Sequence, residues 1–209
     1  MTDKKFTIIY DTYCGWCYGA APVLEALVSS GAAVELLHRQ LVSGANAYKI
    51  ADGFGAQAIR IDAQIEKLTG QKFSKTYMDK ILRSKDETLN SELTAQAAVL
   101  IHDKGPQAEL SLAARLQKQR FVDGVSASDR SAVVNALIAE GVPAQAADQI
   151  GSVDLRLKAE EKAQQAAHLM MQHGGRGVPT VLSAGRDGRE IIDISRYYGN
   201  PNDILKHAA

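Results

Sequence analysis

At 209 residues, 45% hydrophobic and 23% charged, the chain is long enough to bury a sizeable core and lies far from the composition of disordered chains. Its 24 Lys and Arg balance 24 Asp and Glu, so no summed field draws in nucleic acid or an anionic membrane, and neither is expected as a partner. Aromatic residues are only 6%, which leaves Ala, Leu, Ile and Val to build the core, a mixture that favours helices. No apolar run reaches the roughly 18 residues needed to cross a bilayer. The apolar stretch after Lys4 and Lys5 stops at Asp11 with no small-residue cleavage site behind it, so Met1 reads as a native start and the protein as cytoplasmic.

In chain order, residues 6–10 form a short apolar, β-branched run that reads as a buried strand. From Cys14 to about Ser29, Val23, Leu24, Leu27 and Val28 recur at helical spacing, with Gly31 placed to end the helix. Residues 34–42 lack a helical rhythm and read as a second strand. Successive amphipathic helices follow. Ile61, Ile65 and Leu68 precede Gly70, Leu93, Ala97, Leu100 and Ile101 precede Gly105, and Pro106 opens a segment carrying Leu110, Ala113 and Phe121. Val134, Leu137 and Ile138 end at Gly141, and Ser152 can cap a long helix bearing Leu155, Ala159, Ala163, Ala166 and Met170. Strand-like runs return at 180–183 and 190–194, joined by the turn residues Gly185-Arg186-Asp187-Gly188, and Asn200-Pro201 can start a terminal helix. Neither end of the chain can bury a core alone. The expectation is one small sheet built jointly by residues 1–42 and 173–209, interrupted by a helical block over 43–172.

Both cysteines fall in Cys14-Gly15-Trp16-Cys17. A bridge closing so short a loop removes little entropy from the unfolded chain, so stapling is a poor reason for it. A helix N-terminus favours a thiolate, which makes Cys14 the expected nucleophile. Cys17, one turn along, can attack a mixed disulfide at Cys14 and release the product. A zinc site would need about two further ligands; His38, His102, His168, His173 and His207 show no such spacing, and no metal or other cofactor is expected.

Cys14-Gly15-Trp16-Cys17 after a strand, Pro22 eight residues beyond Cys14, and Val178-Pro179 before a late hairpin resemble the thioredoxin superfamily. The long helical block between the halves is similar to the DsbA-like family, and Tyr10-Asp11 with Trp16-Cys17-Tyr18-Gly19 resembles its intracellular disulfide-isomerase subgroup. The resemblance implies an α/β thioredoxin-like fold with a large all-helical insertion over 43–172. It also implies that Pro179 is a cis-proline beside the thiols, that the Val178 backbone pairs with a bound polypeptide strand, and that Pro22 kinks the active-site helix. On residue type alone Pro179 reads as a strand-initiating proline, cis being a minority state, and Pro22 as the end of the helix. One departure is clear: where the family carries a buried acid six positions before the first cysteine, this chain has Ile8. Asp11 is the nearest acid, and reads either as a proton carrier or as a turn residue.

Trp16, Tyr13 and Tyr18 read as a substrate-facing aromatic rim, with packing against the helical block the equal alternative for Tyr18. The expected function is thiol–disulfide oxidoreduction: reduction or isomerisation of disulfides in proteins or small thiol compounds, glutathione among them. The alternatives are a glutathione-dependent transferase or isomerase of the kappa or chromene-carboxylate type, against which Cys17 argues, and a redox-sensing binding module. No oligomeric state follows from the sequence.

Overall fold

The computed structural model describes residues 5–185 and 188–208; Met1, Lys4 and the turn residues Arg186 and Asp187 lie outside them. Strand β1 (Lys5–Tyr10) leads into helix α1 (Gly15–Ser29) and strand β2 (Ala33–His38). The helical block follows, with a short strand β3 (Tyr48–Lys49) and helix α2 (Phe54–Thr69). A single turn α3 (Lys75–Tyr77) then runs on into a wide turn at Met78–Leu82. Strand β4 (Thr88–Leu89), paired with β3, precedes α4 (Glu92–Ile101), α5 (Pro106–Phe121), α6 (Arg130–Ala139), α7 (Ala144–Ala147) and α8 (Val153–Gln172). The hairpin β5 (Thr180–Gly185) and β6 (Gly188–Ile192) completes the sheet.

The four main strands lie in the order β2-β1-β5-β6, so two pieces separated by the whole block share one sheet. β1 runs parallel to β2, with Ile8 opposite Leu36, and antiparallel to β5, with Ile8 opposite Val181. Alternation sends Phe6, Ile8 and Tyr10 to one face, where they pack with Cys17, Ala20, Val23, Leu24 and Leu27 of α1. Ile9, Leu37 and Leu182 point to the other face, under Ala166 and Met170 of α8. A strand covered on both sides must be apolar throughout, which is why residues 6–10 read as a continuous run rather than an alternating one. Ser152 caps α8 as expected, its hydroxyl accepting from the Leu155 amide at 3.3 Å.

Several elements depart from the sequence reading; β5, for one, runs on to Gly185 rather than stopping at 183. The second strand stops at His38 rather than Val42, because Gln40 adopts φ +48° and its amide turns back onto His38 Nδ1 at 3.0 Å. The last strand starts at Gly188 and stops at Ile192, where Asp193 accepts the Ser195 amide and opens a tight turn, Ile194–Tyr197. The terminal segment, Pro201–His207, is wound in three-residue turns rather than as an α-helix, and the Asn200 side chain does not cap it.

Candidate active site

The link between β1 and α1 sets the site. Asp11 is buried and both its oxygens are taken by backbone: Oδ1 accepts from the Tyr13 amide at 2.8 Å and Oδ2 from the Leu41 amide at 2.7 Å. This is an Asx turn tied to the segment after β2, as the turn-residue reading of Asp11 expects. The Asp11 carbonyl accepts the Cys14 amide at 3.2 Å, which places Cys14 at the N-cap of α1.

From that position the two sulfurs diverge. Cys14 is partly exposed and its thiol donates to the Val178 carbonyl at 3.6 Å, although 164 residues separate them in sequence. Cys17 is 1% exposed and its sulfur accepts the Asp11 amide at 3.4 Å. Both are free thiols. The Cys14 thiol is held below its ordinary range, first by a hydrogen bond from the Cys17 thiol and then by the amides of Cys17 and Trp16, which outweigh its own burial. The Cys17 thiol is pushed well above its ordinary range, chiefly by burial and then by the same hydrogen bond to Cys14. One thiolate is therefore favoured, and it sits on the sulfur that solvent can reach.

Helix α1 continues through Pro22. Proline removes the N–H that would bond the carbonyl four residues back; here that carbonyl, on Tyr18, accepts the Gln71 side-chain amide at 3.0 Å instead. Gly15 and Gly19 let α2 approach the same helix. A Cβ on Gly19 would lie 2.5 Å from Ile65 Cγ2, and one on Gly15 would lie 3.0 Å from Asp62 Oδ1.

The peptide bond between Val178 and Pro179 is cis, and both residues are half-buried, with Val178 packing on the same core as Cys14. Trp16, half-buried, lines a cavity of about 180 Å³ together with Cys14, Tyr48, Phe54, Ile61 and Asp62. Tyr18 is not part of this rim. It is buried in the helical block, stacked on Phe121 at 4.9 Å, with its hydroxyl donating to the Lys72 carbonyl at 2.9 Å. A residue three positions beyond Gly15 on α1 faces the block, which corrects its assignment as a substrate contact. Tyr13, by contrast, is buried but lines the same cavity as Trp16, with the Arg120 guanidinium 4.9 Å over its ring.

Sequence reasoning missed Asp62. It is buried, its Oδ2 has no hydrogen-bond partner, and burial pushes its carboxyl up to about 7. The signal was positional: Asp62 falls on the stripe of Ala58 and Ile65, the buried face of α2. No metal-binding group of three or more His, Cys, Asp or Glu occurs among the described residues. None of the described helices is long and apolar enough to cross a membrane.

The model of the DSBA-like thioredoxin domain family matches residues 7–198. Among solved structures, the cytosolic disulfide reductase DsbM from Pseudomonas aeruginosa aligns with TM-score 0.83 and 25% identity, over 98% of this chain and 96% of that one. A second structure of that reductase, with GSH, gives TM-score 0.80 and 26% identity over the same shares. The thiol-disulfide oxidoreductase MdbA from Corynebacterium matruchotii, at 14% identity and TM-score 0.56 over 94% of this chain and 80% of that one, shares the fold. None of the proteins with curated descriptions matches significantly. With its paired thiols at the head of α1 and a matching family model over nearly its whole length, the chain belongs to the DsbA-like thioredoxin family and is a thiol–disulfide oxidoreductase.

Proposed function

We propose that the protein reduces or isomerises disulfides in the cytoplasm, on proteins or small thiol compounds such as glutathione, using Cys14 as nucleophile and Cys17 as resolving thiol. The observation that carries this reading is the asymmetry of the pair: one reachable sulfur whose thiolate is favoured, and one buried sulfur a single helical turn behind it. Cys14 attacks the substrate disulfide, releasing one substrate thiolate and leaving a mixed disulfide. Cys17 then attacks Cys14, forming the Cys14–Cys17 bridge and releasing the second substrate thiol. The substrate gains the two electrons that the dithiol loses. Val178 and Pro179, across from Cys14, form the edge against which a substrate strand lies, and Trp16 forms the wall of the adjoining cavity. In this reading residues 1–42 and 173–209 are the catalytic thioredoxin-like domain and 43–172 the inserted helical domain. The name of the cytosolic reductase, and its structure with GSH, support the reducing direction, the compartment and the small-thiol class.

Equilibration in glutathione redox buffers tests the reading. Thiol counting should pass from two to none as the buffer becomes oxidising, with Trp16, the sole tryptophan, reporting the same transition by fluorescence. Two free thiols throughout would refute it. Steady turnover of a disulfide with dithiothreitol separates an enzyme from a sensor, and loss of turnover in Cys17→Ala separates it from a transferase that uses one thiol.

A further inference from the structure

For Cys17 to attack Cys14 it must lose its proton, and its surroundings restrict where that proton can go. Asp11 has both oxygens on backbone amides and lines the cavity on the Cys14 side, which Cys17 does not reach. On its other side Cys17 lines a separate cavity of about 180 Å³ between α1 and α5, whose titratable members besides Cys17 are Tyr10 and Glu25. Glu25 is exposed at the mouth. Tyr10 is 2% exposed at the floor, and its hydroxyl donates to Glu109 Oε1 at 2.9 Å. Glu109 itself is 2% exposed. Its second oxygen lies 3.0 Å from Nδ1 of His102, a half-exposed residue. Glu109 and His102, but not Tyr10, line another cavity, of about 200 Å³, between β2, α4, α5 and α8, where Asp103 and Lys162 stand exposed. The Tyr10–Glu109 hydrogen bond thus joins two cavities, one touching the resolving sulfur and opening at Glu25, the other opening beside β2 at Asp103 and Lys162.

We propose that Glu109, acting through Tyr10, accepts the proton of Cys17, and that the chain Tyr10–Glu109–His102 carries it to the solvent-facing cavity beside β2. As the Cys17 thiol releases its proton to Tyr10 Oη, directly or through a water the cavity admits, the tyrosine hydroxyl passes its own to Glu109. The tyrosine stays neutral throughout, and the net result is a Cys17 thiolate and a protonated Glu109. His102 takes that proton on and delivers it to solvent. The reverse transfer protonates Cys17 when an external thiol opens the bridge. Burial already raises the Glu109 carboxyl above its ordinary range, which suits a group that must hold a proton in passing, and hydrogen bonding to Glu109 raises His102. Around Glu109 stand Tyr10, His102, Asp103, Lys162 and the buried His38, whose ring packs edge-on to Tyr10 at 5.1 Å, with Lys5 and Glu35 beyond His102. Around Cys17 stand Cys14, Asp11, Tyr10 and Tyr198. The relay rests on the disulfide-exchange reading above.

Stopped-flow mixing of the reduced protein with excess oxidised glutathione, followed by Trp16 fluorescence, resolves a second-order step (attack by Cys14) from a first-order step (attack by Cys17). Glu109→Gln and Tyr10→Phe should each slow the first-order step by about tenfold or more near neutral pH, below the ~100-fold floor usual for direct general acid–base catalysis because water offers a slower route. The deficit should shrink as pH rises and hydroxide takes the proton directly, and the second-order step should be unchanged. Glu25→Gln should resolve at the wild-type rate. Wild-type resolution in both Glu109→Gln and Tyr10→Phe, a slow step in Glu25→Gln instead, or a deficit constant with pH would overturn the relay. Absence of any first-order step in the wild-type protein would instead overturn the exchange reading itself.

Discussion

Cys14 and Cys17 are three residues apart on one helix, yet they live in different solvents. Cys14 stands at the N-cap, half open to a groove walled by Trp16 and facing the Val178 carbonyl. Cys17 stands one turn deeper among Tyr10, Leu24 and Val181, at 1% exposure. On the proposed reading, the division of labour between nucleophile and resolving thiol is set by the first turn of α1. Helix geometry alone separates the sulfurs by depth, the free amides favour charge on the outer one, and burial disfavours it on the inner one.

The two cysteines are not exchangeable on this reading, and their substitutions carry the largest expected effect. Cys14→Ser should lose all disulfide exchange, whereas Cys17→Ser should still attack substrates and accumulate a mixed disulfide. Turnover assays with a disulfide substrate check this. Next in size, the comparison places the asymmetry in α1 and not in the polar core of the helical block. There Arg120 pairs with Glu87 at 2.9 Å, both buried, and Glu87 also accepts from Ser126 and Ala127. Arg120→Met leaves a buried carboxylate without its cation and should cost about 3–5 kcal/mol of stability. In the protein that remains folded, the ratio of Cys14 to Cys17 alkylation rates should be unchanged; urea melts and alkylation read the two quantities separately.

Asp62 sharpens the picture from the cavity side. Its carboxyl is raised to about 7 against 3.8 for an ordinary aspartate, so the folded state holds a proton that the unfolded state releases. Stability therefore falls between about pH 4 and 7, and the penalty is complete above it. Asp62→Asn should remove that penalty and stabilise the protein at pH 8 by at most about 4 kcal/mol, on 1.36 kcal/mol per unit. The gain should vanish near pH 4. Thermal melts across that range check both sign and window. The smallest expected effect is on Cys14 itself. Because the Cys17 thiol is the first contributor to the lowered Cys14 titration, Cys17→Ala should move the midpoint of Cys14 alkylation upward in pH, and Cys17→Ser, which still offers a hydroxyl donor, should move it less.

Much of this arrangement was legible in the sequence because it depends on local signals. The continuous apolar run 6–10, the cysteine pair at the start of a helical stripe, the glycines ending helices and the Ser152 cap each reflect short-range physics. What escaped depends on partners far along the chain. Gln71 replacing the hydrogen bond that Pro22 removes, Tyr18 turning into the Phe73–Phe121 cluster, and Leu41 claiming Asp11 are contacts no local pattern announces. The terminal segment carried helix signals, yet without a side-chain cap at Asn200 it wound into tighter turns. Asp62 and Glu109 form an intermediate case. Each interrupts an apolar stripe, Ala58–Ile65 for one and Leu112, Ala113 and Leu116 for the other. An acid at such a phase is buried by the helix that carries it, so its position was readable even though its partners were not.

On this reading a single sulfur, that of Cys14, meets the substrate. Incubating Cys14→Ala and Cys17→Ala separately with oxidised glutathione, then mapping adducts by peptide mass spectrometry, tests it most directly. A glutathione adduct is expected on Cys14 in Cys17→Ala and none on Cys17 in folded Cys14→Ala. Adducts forming equally fast on both cysteines, or on Cys17 alone, would contradict it.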